Sequence, residues 1–225
     1  MTFTLCQLAG DFRGDLPGGG AMTEEKKDGW RAVYLPDHLG KRGLWTRGGM
    51  PIEGAPHILH RLSLMEQVAG CAMVFDGEFQ VDGTLAATKE WCERGWKQGG
   101  EAGHLFLFDC LTLAEWRAGG SETPLIERKA MLQRLFDGAE DPALSWEWRP
   151  GSRGRDEGAN PVSVLPDGWA FTADDVETEA RRVWAAGGEG LMLKDPLSPY
   201  QRKRNGHWLK VKQCNAHKWL RRAAA

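Results

Sequence analysis

The sequence predicts a mixed α+β fold with long, antiparallel-looking strands. Three observations point there: strand-like runs recur along the chain, helices are few but sharply signalled, and the two do not alternate in the way that builds a parallel sheet. The strand runs cover residues 30–35, 44–47, 73–81, 104–113, 162–165, 190–194 and 207–212. The last is the cleanest, with Trp208, Lys210 and Lys212 on one side and Leu209 and Val211 on the other, the period of two of a pleated strand. Thr172 and Asp175 form a capping box, Val176, Ala180, Val183 and Trp184 follow at helical spacing, and Gly187-Gly188 stops the run. A second helix starts at Thr123-Pro124 and carries Leu125, Leu132, Leu135 and Phe136 on one face up to Gly138. A third, weaker signal spans 84–96. The glycine-rich stretch 13–20 and the stretch 150–161 read as loops, and neither is long enough to mark a boundary, so residues 1–225 are expected to form one domain.

Composition narrows the class. The chain has 225 residues, 41% hydrophobic and 27% charged, the ordinary globular range. Cys6, Cys71, Cys92, Cys110 and Cys214 are scattered, with no C-x-x-C pair, which fits free thiols in a reducing cytoplasm better than a disulfide framework or a zinc ribbon. The first ten residues lack the basic and apolar regions of a signal peptide, and no apolar run is long enough to span a membrane. A cytoplasmic monomer is expected. Glycine, at 29 residues, is nearly double its usual share, so tight turns and close backbone approaches should be frequent. The 11 tryptophans have no functional account and are assigned to the core.

Several common chemistries are missing from the sequence. There is no G-x-x-x-x-G-K-[ST] loop, no strand-linked G-x-G-x-x-G, no G-x-S-x-G elbow and no H-E-x-x-H pair. His57 and His60 lie three apart without a nearby third ligand, which falls short of a zinc site. One segment does stand out: Glu24-Glu25-Lys26-Lys27-Asp28-Gly29-Trp30-Arg31, which reads K-x-D-G-x-R from Lys26. By itself it could be a charged turn leading into the strand at 30–35. It is followed in order by Thr46-Arg47-Gly48-Gly49, Phe75-Asp76-Gly77-Glu78-Phe79, Leu107-Phe108-Asp109-Cys110-Leu111, Glu189-Gly190-Leu191-Met192-Leu193-Lys194 and Trp208-Leu209-Lys210-Val211-Lys212.

This series resembles the nucleotidyltransferase motifs of ATP-dependent DNA ligases over residues 24–212. The resemblance implies the adenylation-domain fold, two antiparallel sheets flanked by helices with the AMP pocket between them. It also implies a reaction: lysine adenylation by ATP, AMP transfer to a 5′-phosphate, and joining to a 3′-hydroxyl at a nick in duplex DNA. By resemblance Lys26 is the nucleophile, and Lys27 is an adjacent lysine one residue out of register. Glu24 lies by the adenine, Phe108 stacks on it, Arg31 and Glu78 meet the ribose, and Arg47 meets the nick 5′-phosphate. Lys194, Lys210 and Lys212 hold AMP phosphate, with a solvated strand end as the other reading of Lys194 and a core aromatic as that of Phe108. Asp76, Glu78 and Glu189 are the expected ligands of magnesium or manganese, which favour carboxylate and phosphate oxygens. The chemistry of the residues agrees. Phosphoryl transfer depends on positioning and electrostatics, and a lysine nucleophile must be neutral, which neighbouring cations and burial promote.

NAD-dependent relatives carry an extra N-terminal domain, and the 25 residues before Lys26 are too few for one, so ATP is favoured. Only 13 residues follow Lys212, too few for the OB-fold that usually comes next. The leading expectation is a minimal ligase, and the alternatives are an adenylation domain that needs an OB-fold partner in trans, a nick- or end-binding module, and an RNA ligase. The formal net charge of −2 hides a distribution. Residues 196–225 hold eight Lys and Arg and no acid, leaving −10 for residues 1–195. That basic stretch is expected to carry DNA phosphates.

Overall fold

The fold follows from two sheets packed face to face. In this computed structural model, residues 4–94, 102–139 and 160–220 are described. Trp96 at the end of the weak helical signal, all but the last two residues of the 150–161 loop, and Arg221 and Arg222 of the basic stretch lie outside them.

In chain order the strands are β1 (Leu8–Asp11), β2 (Ala21–Glu25), β3 (Trp30–His38), β4 (Lys41–Thr46), β5 (Pro51–Ile52), β6 (Met73–Gln80), β7 (His104–Thr112), β8 (Gly120–Ser121), β9 (Val162–Val164), β10 (Asp167–Ala170), β11 (Gly190–Lys194), β12 (Tyr200–Gln201) and β13 (Arg204–Lys212). The helices are α1 (Pro56–Ala69), α2 (Leu85–Glu93), α3 (Leu113–Arg117), α4 (Leu125–Gly138) and α5 (Ala173–Ala185). Among the described residues one sheet has the order β1-β13-β11-β2-β10 and the other β5-β4-β3-β6-β7-β9, with β12 and β8 paired apart. Both sheets are antiparallel except at one edge, where β1 runs parallel to β13 and β9 parallel to β7. The two expected antiparallel sheets are present, each with one parallel pair added at its edge.

Three buried clusters divide the molecule into layers. α1 and α4 cover the outer face of the six-stranded sheet through Ile58, Leu62 and Leu132. The sheets meet over Val33, Trp45, Phe106, Phe108, Tyr200 and Trp208. α5 covers the outer face of the five-stranded sheet, with Val176, Ala180 and Val183 against Leu191, Leu193 and Val211. The capping box is present: the Asp175 N–H donates to Thr172 Oγ1 at 3.1 Å, and Asp175 Oδ2 accepts from the Thr172 N–H at 2.9 Å. α1 has no counterpart among the sequence expectations. Its signals are quieter, with Pro56 in the first turn, Ile58, Leu62 and Met65 on one face, and Gly70 closing it at φ +66°. His57 and His60 sit on this helix. His57 Nε2 lies 3.3 Å from the Gly103 carbonyl and His60 points outward, so the pair forms no ligand set.

Two glycines set close approaches next to the motifs. A Cβ on Gly77 would lie 2.7 Å from the Phe106 carbonyl, where β7 bulges against β6. Gly190 has φ +150°, and a Cβ there would lie 2.0 Å from the Val211 carbonyl.

α4 is tied to the six-stranded sheet by a fully buried ion pair. Arg128 Nε and Nη2 donate to Asp109 at 2.8 and 2.9 Å, and Nη1 donates to the Ser198 carbonyl at 3.0 Å. Removing one partner leaves an uncompensated buried charge. Arg128→Met is expected to lose about 3–5 kcal/mol of stability in urea unfolding, and adding Asp109→Leu to recover part of it.

Candidate active site

A cleft of about 860 Å³ opens between the sheets. The pleat of the five-stranded sheet builds one wall. Trp208, Lys210 and Lys212 of β13, Met192 and Lys194 of β11, and Glu24 of β2 all face it. Their registers put Met192 opposite both Lys210 and Glu24, and Lys194 opposite Trp208. Arg31 of β3, Glu78 of β6 and Phe108 of β7 come from the other sheet, and Arg47 sits exposed in the turn after β4 at the cleft mouth.

Lys26 follows β2 directly, and its backbone N–H donates to the Gly190 carbonyl at 2.8 Å. Its Nζ is in ion contact with Glu189, whose second oxygen holds Lys212. The Glu189 carboxyl is held below its usual range: burial acts to raise it, but hydrogen bonds from Lys212 and Lys26 prevail. The neighbour nearest to Lys26 is therefore a carboxylate shared with a second lysine, not the group of cations expected from sequence. Lys27 also lines the cleft, pairing with Glu25 at 2.8 Å and lying 4.8 Å over the Phe106 ring.

At the inner end Glu24 is buried between two lysines. Lys129 Nζ donates to Oε1 at 2.7 Å, and Lys194 Nζ is 2.5 Å from Oε2. Lys194 is also 4.3 Å from the ring centres of both Phe108 and Trp208. Its ammonium is pushed down chiefly by burial, with Glu24 opposing. At 1% exposure Lys194 is not a solvated strand end.

These positions, in this order on two packed sheets, can be compared with known proteins. Residues 13–212 match the ATP dependent DNA ligase domain family. The chain belongs to that family. A probable DNA ligase of Rhodococcus jostii is 32% identical over 209 residues, covering 87% of this chain and 34% of that protein. One of Opitutus terrae is 37% identical over 119 residues, covering 45% of this chain and 11% of its own length. The ATP-dependent DNA ligase of bacteriophage T7, solved in complex with ATP, shares the fold with a TM-score of 0.64 at 17% identity, covering 92% of this chain and 68% of that one. The chain thus spans about a third or less of the curated relatives it matches.

For a ligase domain, one sequence-predicted residue is misplaced. Asp76 does not line the cleft. It is fully buried, Arg31 donates to both its oxygens at 2.6 Å, and Tyr200 Oη donates to Oδ2 at 2.6 Å. An oxygen pair so occupied has no room for a metal ion, and Asp76 instead orients Arg31. The guanidinium, 4.5 Å from the Phe108 ring centre, is held charged: burial opposes this, and the Asp76 carboxylate outweighs it. Phe108 satisfies both of its readings, since it belongs to the core between the sheets and faces the cleft. Lys129, Tyr200 and Asp109 were missed as site supports. The trace they left is modest: Lys129 sits at a helix position phased with Leu125 and Leu132, where an apolar residue is the norm.

Glu78 lies partly exposed in the cleft, and its carboxyl is pushed up to about 7, chiefly by burial, with Arg31 and Lys26 opposing. A carboxyl raised in the folded state binds its proton more tightly there than in the unfolded chain. Stability should therefore fall as pH rises from about 4.5 to 7. Glu78→Gln is expected to stabilise the domain at pH 8, by up to about 3 kcal/mol, and to change nothing below pH 4. Thermal unfolding across pH checks this.

Proposed function

We propose that this domain adenylates itself on Lys26 with ATP, transfers AMP to the 5′-phosphate at a nick in duplex DNA, and supports joining to the 3′-hydroxyl. The observation that carries this reading is the convergence of Lys26, Lys210 and Lys212 on one cleft that is large enough for a nucleotide, with Glu189 pairing Lys26 to Lys212. In the first step the neutral Lys26 amine, its proton given up to solvent, attacks the α-phosphorus. A P–N bond forms, the α–β P–O bond breaks and pyrophosphate leaves. In the second, a 5′-phosphate oxygen attacks the same phosphorus and Lys26 departs. In the third, the 3′-hydroxyl attacks the 5′-phosphorus and AMP departs.

The chain's own groups fit these steps. Lys210 and Lys212 lie on one face of β13 and offer cations to phosphate oxygens. Lys210 is paired loosely with Asp11 at 3.4 Å, a contact a phosphate can replace. Glu78 lines the cleft, and Glu189 would join it as a ligand of magnesium or manganese once phosphate draws Lys26 and Lys212 from its oxygens, since such ions typically bind one or two carboxylates together with substrate phosphate. Bound there, the ion would neutralise charge on phosphate oxygens. At the inner end Glu24 Oε2 and Lys194 Nζ pair at 2.5 Å, and each keeps capacity for a second partner. They present an acceptor beside a donor, as the amino edge of adenine requires. Exposed Arg47 at the mouth is suitably placed for the nick 5′-phosphate.

Incubation with ATP labelled at the α-phosphate and magnesium should label the protein covalently. Lys26→Ala should lower the label by at least about a hundredfold, and Lys27→Ala should retain it. Label that survives Lys26→Ala would overturn the assignment. Sealing of nicked DNA, but not nicked RNA, by the chain alone is expected if no partner is needed. Label without sealing points to an OB-fold protein in trans. Affinity for nicked duplex should fall steeply between about 50 and 200 mM salt.

A further inference from the structure

Lys129 of α4 is not part of the motif series, yet it touches the base end of the cleft from behind. Its Nζ is buried and donates to two acceptors at once: Glu24 Oε1 at 2.7 Å and the Leu165 carbonyl at 3.0 Å. Both residues line the cleft, and they belong to opposite sides of it. Glu24 is on β2 of the five-stranded sheet. Leu165 follows β9 at the edge of the six-stranded sheet, where its N–H donates to the Leu107 carbonyl at 2.8 Å. The Glu24 carboxylate is thereby fixed in rotation, with Oε1 held from behind by Lys129 and Oε2 turned to Lys194 on the cleft side.

We propose that Lys129 is a positioning residue for base recognition: by bonding Glu24 Oε1 and the Leu165 carbonyl together, it aims Glu24 Oε2 at the amino group of the purine. Without Lys129 only Lys194 would hold the carboxylate, which could then pivot about that single contact and lose the fixed direction of Oε2. The inference rests on the reading of the cleft as an ATP site and adds the residue that sets its preference for a 6-amino purine. A site built to hydrogen-bond a substrate group rejects the analogue that lacks it, because its own polar atom is then left unpaired. Lys129 touches no substrate in this scheme and acts through Glu24 alone.

The test uses the full chain with Lys129→Met, Lys129→Gln, Lys129→Arg, Glu24→Gln and the double variant Lys129→Met/Glu24→Gln. Each receives ATP or purine riboside triphosphate, which differs only in lacking the 6-amino group, and both covalent labelling and equilibrium binding are measured. Wild type should favour ATP. Lys129→Met should lower the ATP preference by about tenfold or more, Lys129→Arg should restore most of it, and Lys129→Met should add nothing to Glu24→Gln. An equal loss for both nucleotides, an unchanged preference, or a further drop in the double variant overturns the proposal. If Lys129→Met does not fold, Lys129→Gln makes the same comparison with a neutral side chain. Wild type that binds ATP without becoming labelled defeats the Lys26 chemistry and leaves Lys129 to be judged on the binding ratio. Wild type that binds neither nucleotide overturns both.

Discussion

The pleat of the five-stranded sheet is the constraint on which the site depends. Along β13 and β11 every second side chain faces α5, and the others face the cleft. Leu191, Leu193 and Val211 must be buried, and their burial forces Met192, Lys194, Trp208, Lys210 and Lys212 onto the other side. A slip of one residue would put three lysines into the α5 interface and three aliphatic side chains into the cleft. The chemistry-bearing face is thus held in register by residues that do no chemistry. Gly190 marks where this becomes most exacting, since β11 and β13 are too close there for any Cβ.

Charge pairing then fixes the residues that the pleat delivers. Three buried or half-buried carboxylates each hold two polar partners: Glu189 holds Lys26 and Lys212, Glu24 holds Lys129 and Lys194, and Asp76 holds Arg31 and Tyr200. Pairs of this kind contribute little net stability, because desolvation offsets most of the attraction. What they supply is placement. The cations proposed for phosphate and ribose are already paired and aimed within the cleft, which is the preorganisation on which electrostatic catalysis relies. The Glu189 pair differs from the other two in burial. Its side chains are 20–31% exposed, so an entering phosphate can compete for the same lysines, whereas the Glu24 and Asp76 carboxylates are 1% and 0% exposed and stay with their partners.

What the sequence revealed divides along the same line. Alternation within a strand is local, so the cleft faces of β11 and β13 were readable from the spacing of Lys194, Lys210 and Lys212. The capping box of α5 was equally local. Pairing between distant residues leaves no periodic trace. Glu24 and Lys129 are 105 positions apart, and Arg31 and Asp76 are 45 apart. Hence the two-residue spacing of Asp76 and Glu78 suggests two metal-binding carboxylates at one level of the cleft. Their shared strand face was right, but depth is a tertiary property: Asp76 lies under Arg31 and Tyr200, and Glu78 opens to the cleft. α1 escaped notice because its polar positions, with two histidines, an arginine and a serine, dilute its apolar face, and its start is marked by a proline rather than by a side-chain cap.

The charge distribution shows why a sum along the chain misleads in both directions. The net −2 understates local charge, since residues 196–225 carry +8. That figure in turn overstates the free positive charge, because the fold has already spent part of it. Lys210 faces Asp11, Lys212 faces Glu189, and the Arg202 guanidinium lies 4.2 Å from the centre of the Trp116 ring. The remaining described cations of the stretch, Lys203, Arg204 and Lys218, are exposed. The stretch therefore acts at two depths. Lys210 and Lys212 of its strand line the cleft, each facing a carboxylate that an entering phosphate would have to displace. Its exposed residues face solvent with no acid nearby in sequence. A nucleic-acid backbone reaching the cleft from that side would meet unbalanced cations first and exchangeable ones second, an order that draws an anion inward.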